Sequence, residues 1–187
     1  MRTLLVVAHP RPTSLTAAAA DAFAAALVKR GARIERADLV AEGFDPVLRP
    51  DDEPDWSNPS KVYSAAVRAE MARIERNEAT VMVFPVWWWS LPAVLKGWID
   101  RVWNHGWAYG GRDYPHRRVW MLGVAGTNEA GYRARGYDAA MRTALEVGLL
   151  EYCGVRERRF ELLYGAIEGE EAARAVVARA AALGGEF

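Results

Sequence analysis

The sequence predicts an α/β fold: a doubly wound, five-stranded parallel sheet of order 2-1-3-4-5 with helices on both faces. Three observations carry that expectation. Apolar, partly β-branched runs at 3–8, 80–84 and 118–125 have the length and composition of buried strands. Helical patterns alternate with strand patterns along the whole chain, which parallel strands with right-handed crossovers explain simply. Pro10, Pro85 and Gly126 stop the apolar runs where strands should turn into loops.

The elements follow in order. Residues 3–8 (TLLVVA) read as the first, buried strand. A helix over 14–29 places Leu15, Ala19, Ala22, Phe23, Ala26 and Leu27 on one face, with Thr13 or Ser14 as N-cap and Gly31 as C-cap. Residues 33–39 alternate weakly and read as a second, more exposed strand. Residues 43–59 hold Pro46, Pro50, Pro54 and Pro59 among many acids, which marks a long loop. A helix over 61–76 has Val62, Ala66, Ala69 and Ile74 in rough period. The third strand, 80–84, ends at Pro85, and Pro92 opens a helix running to about residue 102. Residues 105–115 form an aromatic, Gly-rich loop before the fourth strand at 118–125. A helix over 134–152, a fifth strand over 155–163 and a terminal helix over 170–183 complete the chain. With no internal repeat and no second composition regime, one domain over 1–187 is expected.

Composition narrows the function. A chain of 187 residues with 51% hydrophobic and 26% charged residues is globular, not disordered, and buries roughly 70% of its unfolded surface. Twenty-four basic and 24 acidic residues leave no basic surplus for nucleic acid. The single Cys153 excludes an internal disulfide and Cys-rich metal centres, and reads as a packed core thiol. His9, His105 and His116 have no metal spacing, so no metal is expected. Asp51, Asp52, Glu53 and Asp55 read as a solvated surface run. Residues 4–8 are too short for a signal-peptide core, and no apolar run reaches the roughly 18 residues of a membrane span. A soluble, cytoplasmic protein is expected.

In a doubly wound sheet, ligands sit beyond the carboxyl ends of the strands, at the switch point. The loops after strands one, three and four would lie side by side there, and they are the chemically unusual ones. The first, His9 to Thr16, brings hydroxyls at Thr13, Ser14 and Thr16 to a helix N-terminus, with His9 and Arg11 as sources of positive charge. The same residues would serve a plain capped helix behind a proline turn. No G-x-x-x-x-G-K-[ST] and no G-x-G-x-x-G is present. A hydroxyl-built phosphate site suits a flavin mononucleotide or a dinucleotide pyrophosphate better than a hydrolysed nucleotide. The second loop, Pro85 to Pro92, carries Trp87, Trp88 and Trp89, which cannot all face one core. At least one ring should meet a planar ligand or a partner. The third, Gly126 to Tyr132, allows close backbone approach at Gly126 and Gly131. His105 to Gly111 places aromatics among glycines, as in a lid, a pocket wall or a dimer contact. G-x-S-x-G and H-E-x-x-H are absent.

These segments resemble the NAD(P)H:quinone oxidoreductase family of flavodoxin-like proteins. The resemblance runs through AHPRPTSLT at 8–16, FPVWWWSLPAVLKGWIDRVW at 84–103, HGWAYG at 105–110 and GTNEAGY at 126–132. HGWAYG is similar to the small bacterial members, among them the ancillary flavoproteins of glutathione-gated potassium efflux systems. The resemblance implies a flavodoxin-like, flavin-dependent enzyme with non-covalent FMN or FAD. It would take hydride from NADH or NADPH and pass two electrons to a quinone or similar planar acceptor, in ping-pong turnover. It also implies a homodimer with the active site at the interface. His9, Thr13, Ser14, Leu15 and Thr16 match the family's phosphate loop, and Pro85, Val86, Trp87, Trp88 and Trp89 its ring-lining segment. Gly126, Thr127 and Tyr132 match the loop at the flavin's pyrimidine edge. Tyr132, and less so His105, would act in catalysis. Trp107 and Tyr109 would bind substrate, Tyr109 from the other subunit. Thr16 departs from a common Asn, Thr127 from a frequent Gly, and Asp138 from a His of the mammalian members. The alternative implied by HGWAYG is a regulatory subunit of a membrane potassium-efflux transporter.

Overall fold

A computed structural model describes residues 1–58 and 60–187. Pro59, the last proline of the expected long loop, lies outside the described residues. Five strands pair in parallel in the order β2-β1-β3-β4-β5, as the sequence predicts. β1 (Arg2–Val7), β3 (Ala79–Pro85) and β4 (Arg118–Val124) lie inside the sheet and are buried almost throughout, because helices cover both faces. β2 (Arg33–Asp38) and β5 (Glu157–Leu163) are the edges and carry the charged side chains.

Alternation along the strands divides the core in two. Leu4, Val6, Met82, Phe84, Val119 and Met121 pack against α2 (Ala65–Glu75), α3 (Ala93–Val102) and the helical stretch that follows β4. Leu5, Val7, Val81, Val83, Trp120 and Leu122 pack against α1 (Leu15–Lys29) and α6 (Glu170–Glu186). α1 and α6 cross closely at Gly184, where a Cβ would collide with the Phe23 carbonyl oxygen.

Local capping explains where the elements depart from expectation. α2 begins at Ala65, not 61, because the Ser64 hydroxyl accepts a hydrogen bond from the Val67 N–H at 3.3 Å. Its buried face is therefore Val67, Glu70, Met71 and Ile74, while the predicted Val62, Ala66 and Ala69 are exposed. The stretch after β4 was expected as a loop to Tyr132 and one helix over 134–152. Instead Asn128 caps a short α4 (Glu129–Ala134), accepting from the Gly131 N–H at 3.0 Å. Gly136, at φ +69°, breaks that helix, and α5 (Tyr137–Arg142) continues as a π-type helix over Thr143–Glu151. Cys153 is a buried core thiol as expected, and burial pushes it up to about 11. Among the described residues, no helix is long and apolar enough to cross a membrane.

Asp52 corrects the reading of the 51–55 acids as a solvated run. It is 1% exposed and pairs with Arg101 at 2.7 Å, and Arg101 is itself buried. Its other contacts are the Ser64 N–H at 2.9 Å and the Ser64 hydroxyl at 3.0 Å. Arg101 also donates to the Asp45 carbonyl, so this one pair ties the long loop to α2 and α3. Burial alone would raise the Asp52 carboxyl; the Arg101 and Ser64 hydrogen bonds reverse that and hold it below the ordinary carboxylate range. Asp52→Ala should cost about 3–5 kcal/mol in urea unfolding at neutral pH, because it leaves Arg101 buried and unpaired. A lowered pKa contributes stability above its unfolded value and loses it as pH falls through the folded value. The gap between wild type and variant should therefore narrow below the ordinary 3.8. A cost under about 1 kcal/mol would place the pair in the class of surface ion pairs instead.

Candidate functional site

The carboxyl ends of β1, β3, β4 and β5 open onto one cleft of about 360 Å³. That volume is within the ordinary range for small-molecule sites. The β1 loop contributes His9, Arg11, Ser14, Leu15 and Thr16; the β3 loop contributes Pro85, Val86 and Trp87. Gly126 comes from the β4 loop, and Ala166 and Ile167 from the loop after β5. Three segments predicted to converge thus share one cleft.

The first loop builds the polar end. Ser14 is the N-cap of α1, its hydroxyl accepting from the Ala17 N–H at 3.1 Å. Among the described residues the Leu15 and Thr16 N–H groups have no acceptor. A helix of 15 residues therefore presents free donors and its positive dipole end to the cleft. Thr13, the other candidate cap, is exposed and does not line the cleft. His9 Nδ1 accepts from the Arg11 N–H at 3.0 Å, which leaves Nε2 to carry the proton. Burial and the neighbouring Arg11 charge lower the His9 pKa below 6.5, so the ring is mostly neutral at pH 7. The positive charge expected from both residues comes from Arg11 alone.

The second loop is a two-residue turn. Trp87 and Ser90 exchange hydrogen bonds at 3.3 and 3.1 Å, and Trp88 and Trp89 between them both have φ +51°. Large L-residues reach that region at a cost of roughly 1–2 kcal/mol each. Among the described residues the Trp88 and Trp89 N–H groups have no acceptor. All three rings are exposed: Trp87 45%, Trp88 87% and Trp89 43%. Trp87 forms the cleft wall near His9, with ring centroids 5.9 Å apart. Trp88 and Trp89 stand outside the lining, and Trp89 lies against Tyr137 at 4.2 Å.

The third loop is latched to a fourth that sequence reading missed. Glu168 Oε1 accepts from the Thr127 hydroxyl at 3.1 Å and from the Asn128 N–H and side-chain amide, both at 2.9 Å. Backbone bonds from Gly165 to Thr127, Ala166 to Ala125 and Ile167 to Gly126 complete the latch. The available signal was topological: residues after β5 also lie at the carboxyl edge, and Gly165 and Gly169 bracket the turn at φ +91° and +98°. Thr127 is therefore committed to Glu168. Tyr132 is 3% exposed, stands edge-on to Tyr137 and Tyr164, and does not line the cleft. Burial raises its pKa, so its hydroxyl stays protonated at neutral pH.

His105, Trp107 and Tyr109 do not line this cleft either. The His105 ring stands 5.2 Å from Trp56 and 5.8 Å from Tyr109. Trp107 donates to Glu75 at 2.8 Å. Tyr109 lines a separate hollow of about 300 Å³ with Trp103, Tyr152 and Cys153. The strain in the Trp turn yields a prediction. Trp88→Gly should stabilise the flavin-free protein by about 0.5–1 kcal/mol in urea unfolding, since glycine adopts positive φ without the Cβ penalty. Loss of stability would show that the turn is not strained at Trp88.

The comparisons agree with this geometry. A family model described as flavodoxin-like fold matches residues 1–184. The chain is 38% identical over 173 residues to the uncharacterized NAD(P)H oxidoreductase YcaK of Escherichia coli K12, covering 91% of this chain and 88% of that one. It is 28% identical to NAD(P)H dehydrogenase [quinone] 1 of Rattus norvegicus, over 87% of this chain and 68% of the relative. The solved NAD(P)H:quinone oxidoreductase of Methanothermobacter marburgensis superposes with a TM-score of 0.94 at 29% identity, over 100% of this chain and 95% of that one. The fold, the convergent loops and these relatives agree: the chain belongs to the flavodoxin-like fold family, among relatives named NAD(P)H oxidoreductases.

Proposed function

We propose that the cleft binds a flavin, FMN or FAD, non-covalently, and that the protein is a cytoplasmic NAD(P)H oxidoreductase reducing a quinone or similar planar acceptor. The observation that carries this reading is the convergence of the β1, β3 and β4 loops on one cleft. The β1 loop supplies free helix donors and hydroxyls, and the β3 loop supplies the wall of Pro85, Val86 and Trp87. That donor set fits a group with a phosphate at one end and a flat, largely apolar ring at the other. A general stress protein of Treponema denticola, solved in complex with FMN, shares the fold.

A bound flavin supplies the two-electron redox chemistry that side chains lack. The chain's residues supply placement and charge. The Leu15 and Thr16 N–H groups, with the Ser14 and Thr16 hydroxyls, would hold the phosphate, and Thr13, outside the lining, would not. Pro85, Val86 and Trp87 would fix one ring face, with Trp88 and Trp89 extending the wall. The free N–H groups of Trp88 and Trp89 and the Nε2–H of His9 are donors for negative charge at the site. Gly126 permits close approach, and Thr127 holds its loop through Glu168. Tyr132 is proposed as proton donor to a ring seated against the Gly126–Tyr132 loop, although it lies outside the lining of the flavin-free cleft. Tyr132→Phe tests that role: lower kcat with undiminished flavin content supports it, and unchanged kcat assigns Tyr132 to packing.

The same reading takes the protein as a homodimer, in which the loop carrying His105, Trp107 and Tyr109 of one copy covers the cleft of the other. The alternative of an ancillary subunit for a potassium-efflux transporter rests on the similarity of 105–110 alone. If reductant and acceptor use one cleft in turn, initial rates with NADPH or NADH against menadione should give parallel double-reciprocal lines. Intersecting lines would require both to be bound at once and would contradict the single-cleft mechanism.

A further inference from the structure

We propose that Tyr137 is a positioning residue for the cleft, bracing the strained Trp87–Ser90 turn and so fixing where its free N–H donors stand. The proposal rests on the reading of the cleft as a flavin site. Reciprocal hydrogen bonds between Trp87 and Ser90 close the turn on itself but do not tie it to the layer of helices. Two consecutive large residues at positive φ persist only where their surroundings hold them. Among the aromatic rings of the described residues, Trp88, 87% exposed, pairs with Trp89 alone, edge-on at 6.0 Å. Trp89 lies on Tyr137, with centroids 4.2 Å apart and planes at 33°. Tyr137 in turn stands edge-on to the buried Tyr132 at 6.0 Å and 84°, and Tyr132 edge-on to Tyr164 at 5.4 Å. This run of rings carries the turn's position into the core.

The chain places Tyr137 there by a local device. Gly136 takes φ +69°, ends the short α4 and lets α5 restart with Tyr137 as its first residue. Among the described residues the Tyr137 hydroxyl makes no hydrogen bond, so the brace is the ring face. Phenylalanine should replace it; leucine, with similar bulk and no flat face, should not.

The test compares wild type with Tyr137→Phe, Tyr137→Leu and Tyr137→Ala. Each flavin-free protein is titrated with FMN by quenching of flavin fluorescence, and near-ultraviolet circular dichroism is recorded before FMN is added. Tyr137→Leu and Tyr137→Ala should weaken FMN binding about fivefold to tenfold, the worth of one aromatic stack. Both should also lose dichroism from the Trp bands, while Tyr137→Phe matches wild type in both readouts. The leucine variant keeps the test open if alanine prevents folding. Binding by Tyr137→Leu within about twofold of wild type would overturn the proposal, as would a Tyr137→Phe variant as weak as leucine. If wild type takes up neither FMN nor FAD, the flavin reading fails; the brace still stands or falls on whether the leucine variant changes the dichroism.

Discussion

The pairing of β3 with β1 on one side and β4 on the other is the constraint on which the site depends. In-register parallel pairing, from Thr3↔Ala79 to Val7↔Val83 and from Ala79↔Arg118 to Pro85↔Val124, brings three carboxyl ends to one edge. The connections then leave on opposite faces. β1 feeds α1, on the face shared with α6, and β3 feeds α3, on the other. Backbones diverging from adjacent strands leave a crevice between them. A shift of either pairing by one residue would turn the alternating side chains to the wrong faces, so core packing and cleft geometry are set together.

Within that frame the cleft uses backbone more than side chains. The clearest donors are N–H groups left free by helix geometry at Leu15 and Thr16; those left free by the tight turn at Trp88 and Trp89 stand beside the lining. Such donors are fixed in direction by the fold and need little reorganisation when charge develops nearby. Their cost falls on stability, visible in the positive φ of two tryptophans. The Glu168 latch and the ring contacts of Tyr137 act on the flanking loops that carry this arrangement.

Much of the fold was legible because its strongest signals are local and periodic. The apolar strands with their Pro and Gly stops, the Ser14 cap and Gly31 at φ +85° are written in adjacent residues. The alternation of strands and helices then leaves few topologies. Apart from the helix after β4, which the local Asn128 cap and Gly136 divide, the misreadings below share one physical origin, polar side chains whose partners are distant in sequence. Asp52 looks solvated until Arg101, folded from α3, is beside it. Ser64 overrides a plausible helical period from 61 because Asp52 fixes it as a cap. Glu168 carried no motif, yet its carboxylate holds Thr127 and Asn128. The site residues divide in the same way. His9, Ser14, Leu15, Thr16, Pro85, Val86, Trp87 and Gly126 meet in one cleft, whereas His105, Trp107 and Tyr109 line no part of it in a single chain.

The central claim is that this cleft binds a flavin, and uptake of FMN by the purified, flavin-free protein tests it most directly. The protein is mixed with excess FMN, freed of unbound ligand by gel filtration, and its visible spectrum recorded before and after NADPH or NADH. The account predicts that flavin stays with the protein, that its absorbance bleaches with the reductant, and that menadione restores it. A colourless protein that retains neither FMN nor FAD would contradict the account and leave the convergent loops as architecture without that ligand.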